Sequence, residues 1–362
     1  MDEKYMRRAI ELAKKGAGFV SPNPMVGAVV VRDGRIISEG CHERYGGYHA
    51  ERNALLSCNE NTEGADMYVT LEPCCHHGKT PPCTDIIIEK RIKRVFVGSD
   101  DPNPLVAGKG YKILRENGIE VITGVLKKEC DEINRIFFHY IKTKTPYITM
   151  KYAMSADGKI ACKTGDSKWV SNEKSREIVQ RLRYEYTAIM AGIGTVIADN
   201  PRLTCRENNA PPLTRIICDT DLRIPLDCNI VKTARLHRTI IAAANNGEKA
   251  EKLREMGAEI LLVPKSESGI DLNALVSLLG EMGIDSILLE GGGTLNEAAL
   301  KSGIVNEIKV FTAPKIIGGK DAPSPVGGAG AEKMSGAARL KLRNVQMIDD
   351  DILAEYDVIK EN

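Results

Sequence analysis

Aromatic residues are scarce: Phe, Tyr and Trp make up 5% of the 362-residue chain, which carries a single Trp. Base-stacking platforms are therefore thinly supplied, which counts against a nucleic-acid-binding surface. Net charge is nearly absent as well. Fifty Lys and Arg against 49 Asp and Glu leave +1, with both signs mixed along the whole length. That balance creates no overall field to recruit nucleic acid or an anionic membrane, though it is compatible with a local basic pocket for one phosphate. The longest apolar stretch, Met25 to Val31, is far too short to span a bilayer. The opening Met1-Asp2-Glu3-Lys4 is charged and lacks an apolar run, so no secretory signal is read and the cytoplasm is the expected compartment. There is no repeat and no low-complexity tract. No Gly-x-Gly-x-x-Gly followed by a suitably placed acid occurs either, so a standard dinucleotide-binding fold is not signalled.

What is present supports a well-packed protein of two domains. Hydrophobic residues reach 43% and charged residues 27%, enough for a sizeable core, and the length suits two domains better than one. Ten cysteines without a secretory context argue against a disulfide framework. Cys74, Cys75 and Cys83 crowd into one loop, which points to metal binding or catalysis, while the scattered others suit small core positions.

Helical and strand patterns alternate through the first part of the chain. Tyr5, Met6, Ala9, Ile10, Leu12 and Ala13 recur at helical spacing, and Val26–Val31, Asp33-Gly34 and Arg35–Ser38 read as a hairpin. A helix should start near His49, and a last one should span Lys128–Tyr140. This alternation predicts a three-layer α/β sandwich. The polar stretch Lys142-Thr143-Lys144-Thr145-Pro146 is the best boundary, dividing a domain of residues 1–145 from one of residues 146–362. A second α/β alternation follows, closing with two antiparallel strands between Leu340 and Val358.

His49-Ala50-Glu51 falls at a helix start, and Pro73-Cys74 and Cys83 follow on a loop. One imidazole and two thiolates make a three-ligand zinc site with the fourth position open to water. Zinc lowers the pKa of such a water towards neutrality. Glu51, two residues from His49, is placed to shuttle the proton and would not be a ligand. The pattern matches the His-x-Glu, Pro-Cys, Cys signature of zinc nucleobase deaminases. The alternative is a closed structural site with Cys75, His76 or His77 as fourth ligand, a role that gives Glu51 nothing to do. Eight residues separate Cys74 from Cys83, where the deaminase pattern usually has two.

That longer loop, Thr70-Leu71-Glu72-Pro73-Cys74-Cys75-His76-His77-Gly78-Lys79-Thr80-Pro81-Pro82-Cys83, resembles the deaminase half of the bifunctional deaminase–reductases of riboflavin biosynthesis. The segments Asn23–Val29 and Asp101–Gly110 resemble the same family. The resemblance implies substrate contacts at Asn23, His42, Lys79, Asp101 and Asn103. Asn23 and Asn103 each precede a proline, which biases them into rigid extended turns where a carboxamide can meet an aminopyrimidine edge. Lys79, on a flexible loop, can reach a ribose phosphate.

Beyond the boundary, two glycine-bearing loops, Ala191–Thr195 after a strand and Glu290–Thr294 before a helix, suit the approach of a pyrophosphate or serve simply as tight turns. Lys151–Ala161, Ser167–Trp169, Gly194–Pro201, Leu203-Thr204 and Glu290–Gly292 resemble the family's reductase domain, which shares a fold with dihydrofolate reductase. The resemblance implies NADPH contacts at Ala153, Trp169, Thr195, Asp199, Thr220 and the run Gly292, Gly293, Thr294, Leu295, Asn296, Glu297 and Ala298. It implies reductase substrate contacts at Lys151, Ser167, Arg183, Leu203, Arg206 and Glu290, with Arg183 and Arg206 as a fork for the ribose 5-phosphate. The implied activity is zinc-dependent deamination of a phosphoribosylamino-diaminopyrimidinone, followed by NADPH-dependent reduction of its ribosyl chain. The expected partners are that small phosphorylated pyrimidine and further copies of the chain. Two rivals stay open: a nucleic-acid-editing deaminase, and a structural zinc module joined to a regulatory nucleotide-binding domain.

Overall fold

The computed structural model describes residues 2–78, 80–267 and 269–360. The chain folds as two compact units, residues 1–144 and 145–362.

The first unit runs α1 (Glu3–Ala13), β1 (Gly27–Arg32), β2 (Arg35–Cys41), α2 (Ala50–Ser57), β3 (Asp66–Leu71), α3 (Cys83–Glu89), β4 (Arg94–Ser99), α4 (Lys109–Glu116), β5 (Glu120–Ile122), α5 (Lys127–Ile133) and α6 (Arg135–Thr143). Its sheet has the order β2-β1-β3-β4-β5. β1 is antiparallel to β2 and β3, and β3, β4 and β5 are parallel. Side chains alternate across each strand, and both faces are covered. Val29, Val31, Tyr68 and Phe96 pack against Tyr5, Met6, Ala9 and Ile10 of α1. Ala28, Val30, Met67, Val69, Val95 and Val97 pack against α2, α3 and α4 on the other side. This is the expected three-layer α/β sandwich. Gly40 lets α2 lie directly on β2, because a Cβ there would meet the Ala50 carbonyl oxygen at 2.5 Å and the Ala54 nitrogen at 2.4 Å. That close seat fixes where α2 begins.

The expected single helix over Lys128–Tyr140 is two helices, broken at Asn134. Its side chain accepts from the Met25 backbone N–H at 2.8 Å and donates to the Met25 carbonyl at 2.9 Å. These bonds tie the break to the segment preceding β1.

The second unit contains β6 (Tyr147–Ser155), α7 (Glu173–Glu185), β7 (Ala188–Gly192), α8 (Ile193–Asp199), β8 (Thr214–Cys218), α9 (Asn229–Lys232), β9 (Thr239–Ala243), α10 (Glu248–Glu255) and β10 (Glu259–Leu262). It continues with β11 (Lys265–Ser266), β12 (Gly269–Ile270), α11 (Leu272–Glu281), β13 (Ser286–Leu289), α12 (Gly293–Lys301), β14 (Glu307–Ala313), β15 (Leu340–Ile348) and β16 (Asp351–Val358). The main sheet has the order β10-β9-β8-β7-β13-β6-β14-β16-β15. Pairing is parallel from β10 to β14, and β16 is antiparallel to both β14 and β15. One face packs on α11 and α12, the other on α8, α9 and α10. β13 enters late in sequence yet lies between β7 and β6. Strand ends at such a reversal of order leave a crevice at the carboxyl edge, the usual place for ligands in parallel α/β sheets. No helix among the described residues is long and apolar enough to cross a membrane.

Candidate functional site

In the first unit the chemistry gathers where α2, the end of β3 and the start of α3 meet. His49 is the extended residue that opens α2, and Glu51 lies in its first turn. Cys83 opens α3, and the N–H groups of Cys83 and Thr84 both donate to the Cys74 carbonyl, at 3.1 and 3.2 Å. The loop is thus folded back so that its two thiols converge. His49 Nδ1 lies 3.4 Å from Sγ of Cys74 and 3.4 Å from Sγ of Cys83, and the three ligand atoms fall within 4.8 Å of one another. Tetrahedral zinc, with Zn–N of ~2.0 Å and Zn–S of ~2.3 Å, separates N from S by about 3.5 Å. Donor set and spacing both fit.

Among the described residues no fourth ligand joins this cluster. Cys75 turns away, its Sγ reaching the Leu105 carbonyl at 3.8 Å. The Cys83 thiol and then His49 hydrogen-bond to Cys74 and hold it below the ordinary thiol range, while the same bond and burial push Cys83 up. The hydrogen bond to Cys74 stabilises the His49 imidazolium, raising its value. The cluster therefore already favours a thiolate at Cys74.

Glu51 is 3% exposed. Burial first, and then the Cys74 charge, push its carboxyl up to about 7, so it can both take and release a proton near neutrality. His42 is buried, which lowers its value and keeps the ring neutral. Its Nδ1 donates to the Tyr48 carbonyl at 2.9 Å, leaving Nε2 to accept from Asn23 Nδ2 at 3.2 Å. That bond commits the Asn23 amide nitrogen and leaves its Oδ1 as the acceptor for a ligand. Asp101 accepts from the Asn103 N–H at 2.8 Å, and burial pushes its carboxyl up to about 6. Asn23, His42, His49, Glu51, Cys74, Asp101 and Asn103 all line one cavity of about 390 Å³. Lys79 lies outside the described residues.

Two contributors were not singled out from the sequence. Glu72 accepts from the N–H groups of Gly108 and Gly110, both at 3.1 Å, and so holds the 101–110 loop against the ligand loop. Gly110 permits this approach, since a Cβ there would stand 2.2 Å from the Pro73 carbonyl oxygen, next to Cys74. The other contributor is α6, whose Phe137, Tyr140 and Ile141, with Lys144 just beyond, line the same cavity. Their spacing of three, four and seven residues is that of one helix face.

In the second unit Lys151 comes from β6, Glu290 from the end of β13 and Arg183 from α7. Lys151 Nζ lies 2.9 Å from Glu290 Oε2. Arg183 grips the same carboxylate, Nε to Oε1 at 2.8 Å and Nη2 to Oε2 at 3.1 Å, and its Nη1 donates to the Thr204 carbonyl at 3.1 Å. Burial alone would raise Glu290, but Arg183 and Lys151 outweigh it and hold the carboxyl well below its usual range. This alters the expected phosphate fork: Arg183 spends its paired donors on Glu290. Arg206 is exposed, with its backbone N–H on Gln180 Oε1 at 3.0 Å.

The positions expected to contact NADPH are not equivalent. Trp169 is 58% exposed, with the Arg176 guanidinium 4.7 Å from its ring centroid. Asp199 is exposed at the last turn of α8. Ala153 lies in β6, Ser167 is half-buried in the loop that follows, and Leu203 is buried with φ of 51°. Thr195 Oγ1 stands 3.4 Å from where a Cβ on Gly292 would lie, so α8 and the start of α12 face each other. Gly292 opens α12 without a side-chain cap, which leaves backbone N–H groups for a pyrophosphate. Gly293 has no room for a side chain, its Cβ position being 2.9 Å from the Ser324 carbonyl oxygen. Within the run from Gly292 to Ala298, Leu295 and Ala298 pack against the core, Asn296 Nδ2 donates to the Pro325 carbonyl at 2.8 Å, and Glu297 pairs with Lys301. Gly292, Gly293 and Thr294 are thus the residues of the run that form the uncapped amino end of α12. Thr220 follows β8, and its carbonyl accepts from the Ala244 N–H at 3.0 Å.

The fold and these two sites define a class: a zinc nucleobase-type deaminase unit joined to a reductase unit. Residues 1–99 match the cytidine and deoxycytidylate deaminase zinc-binding region, and residues 146–354 match the RibD C-terminal domain. The riboflavin biosynthesis protein RibD of Actinobacillus pleuropneumoniae is 55% identical over 359 residues, covering 99% of this chain and 96% of its own. That of Aquifex aeolicus (strain VF5) is 42% identical over 355 residues, covering 98% and 97%. A solved diaminohydroxyphosphoribosylaminopyrimidine deaminase/5-amino-6-(5-phosphoribosylamino)uracil reductase from Thermotoga maritima superposes with a TM-score of 0.89 at 40% identity, covering 99% of this chain and 98% of that one. The chain belongs to the RibD family, the bifunctional deaminase–reductases of riboflavin biosynthesis.

Proposed function

We propose that residues 1–145 hydrolyse the amino group of 2,5-diamino-6-(5-phosphoribosylamino)pyrimidin-4-one, and that residues 146–362 then reduce the ribosyl chain to a ribityl chain with NADPH. The observation that carries this reading is the convergence of His49, Cys74 and Cys83, with His49, Cys74 and the buried Glu51 lining one cavity. Zinc held by those three residues supplies an activated water. Glu51 would take one proton from the attacking water and pass it to the ring nitrogen, then take the hydroxyl proton of the resulting adduct and pass it to the amine, which leaves as ammonia as the carbonyl forms. Asn23 Oδ1, Asp101 and Asn103 hold the edge of the pyrimidine, and His42 orients Asn23. Lys79 is assigned to the substrate as well.

In the reductase unit NADPH supplies the hydride, and the protein's part is placement. Gly292, Gly293 and Thr294 cradle the pyrophosphate, with Thr195 opposite. Ala153, Trp169, Asp199 and Thr220 complete the cofactor contacts. Glu290 holds Lys151, which is the group set to give a proton to the sugar, and Arg183 keeps Glu290 ionised. Ser167, Leu203 and Arg206 contact the substrate, with Arg206 on the 5-phosphate.

The row Leu340, Leu342, Val345 and Met347 on the outer strand β15 is exposed. Edge strands of this length and character are normally covered, which supports assembly with a second copy of the chain. A site that depends on free thiols suits a reducing compartment, and we assign the protein to the cytoplasm.

Metal analysis tests the first site. The purified chain is expected to hold one zinc, retained in Cys75→Ser and lost in Cys74→Ser and Cys83→Ser, with ammonia release following zinc content. Equal zinc loss in Cys75→Ser and Cys74→Ser would show a closed four-ligand site.

A further inference from the structure

The substrate assigned to the first unit carries a phosphate, and the described residues that line the cavity supply little positive charge. Glu51, Glu72 and Asp101 bring three carboxyls to its lining. Among the described residues that line it, the one Lys or Arg is Lys144. It ends the α6 stripe of Phe137, Tyr140 and Ile141, and its N–H donates to the Tyr140 carbonyl at 2.8 Å, which keeps it in register with that face. Its Nζ rests 5.8 Å from the centroid of the Tyr140 ring and makes no ion pair among the described residues. No α6 residue is fully buried, and Phe137, which also packs against the core, shares the cavity lining with Tyr140 and Ile141.

Resting on the deaminase reading above, we propose that Lys144 binds the ribose 5-phosphate during deamination, with Phe137, Tyr140 and Ile141 forming the apolar wall along which the ribose lies. The geometry follows from the two ends of the cavity. The reacting ring carbon must sit beside the buried Glu51 and the His49–Cys74 pair. The sugar phosphate then extends away from those buried groups, and Lys144 is an exposed member of the lining. A free ammonium steadied over an aromatic ring is a point cation suited to a phosphate dianion. The stripe fixes its direction of approach.

The test measures ammonia release by the zinc-loaded full chain on the phosphorylated pyrimidine and on its dephosphorylated counterpart. The wild-type chain is expected to prefer the phosphorylated compound, and added salt should erode that preference. Lys144→Met should raise KM for the phosphorylated compound roughly tenfold to a hundredfold, the worth of one charged contact, and so collapse the preference. Lys144→Arg should restore most of it, and Lys142→Met, a neighbouring exposed lysine outside the cavity, should keep it. An unchanged KM in Lys144→Met, with zinc content and thermal midpoint intact, overturns the proposal and leaves the deaminase reading standing. Equal losses on both compounds also overturn it, since they assign Lys144 to the wall and not to the phosphate. Lys79→Met run in parallel shows whether a second lysine shares the load. Failure of the wild-type chain to release ammonia from either compound would instead defeat the deaminase reading itself.

Discussion

Glu51→Gln is expected to lower the rate of ammonia release by roughly two to four orders of magnitude, the usual worth of a positioned proton carrier. The substitution keeps the shape of the side chain and leaves His49, Cys74 and Cys83 untouched, so zinc content should not change. It removes a carboxyl that burial has pushed up to about 7 and puts in its place an amide that cannot exchange a proton. Folding should suffer little, because an uncharged amide is easier to bury than a carboxylate. Reduction of the supplied deaminated intermediate should continue, since the groups assigned to the hydride step, Lys151 and Glu290, belong to the second unit. Retention of full deaminase activity in a zinc-loaded Glu51→Gln chain would remove Glu51 from the chemistry.

Glu290→Gln should have the second largest effect, on stability and catalysis together. The native carboxylate sits between Lys151 and Arg183 with 11% of its side chain exposed. Neutralising it strands two largely buried cations, and breaking such a cluster typically costs about 3–5 kcal/mol. The thermal transition of the reductase unit should fall by on the order of 10 °C, and reduction should be lost because Lys151 is no longer held. The pH dependence has a definite sign. The folded-state pKa of Glu290 is depressed, so its contribution is complete above the unfolded carboxylate value and disappears as the pH falls through the folded value. The deficit of the variant should therefore be full at neutral pH and shrink progressively as the pH falls below the ordinary carboxylate value towards the depressed folded one. Calorimetry across pH would show it, and a constant deficit would mean the cluster does not depend on that charge.

Much of the zinc site was legible because its chemistry is carried by rare residue types close in sequence. His49 and Glu51 share a first helical turn, and Cys74 and Cys83 bracket one loop. The strands were legible from their apolar runs and the helices from their spacing. What was hidden depends on partners distant in sequence. Asn134 breaks a continuous helical pattern by bonding to Met25, 109 residues away. Arg183, read as a phosphate ligand from its flanking residues, is taken by Glu290 107 residues further on. Glu72 lies inside a recognised motif, yet its role follows from the N–H groups of Gly108 and Gly110, which no local pattern points to. The stripe Phe137–Lys144 resembles any amphipathic helix face, and only its position over the cavity gives it meaning.

One chain is expected to deaminate and then reduce the same pyrimidine. The most direct test is a time course with the purified zinc-loaded chain and its phosphoribosylated diaminopyrimidine, following ammonia, NADPH and the mass of the pyrimidine together. Without NADPH the reaction should release ammonia and stop at the deaminated ribosyl compound. Adding NADPH should then convert that compound to its ribityl form, with NADPH oxidised in equimolar amount to the ammonia already released. NADPH oxidation in the absence of ammonia release, or a deaminated product that NADPH leaves unchanged, would contradict the account.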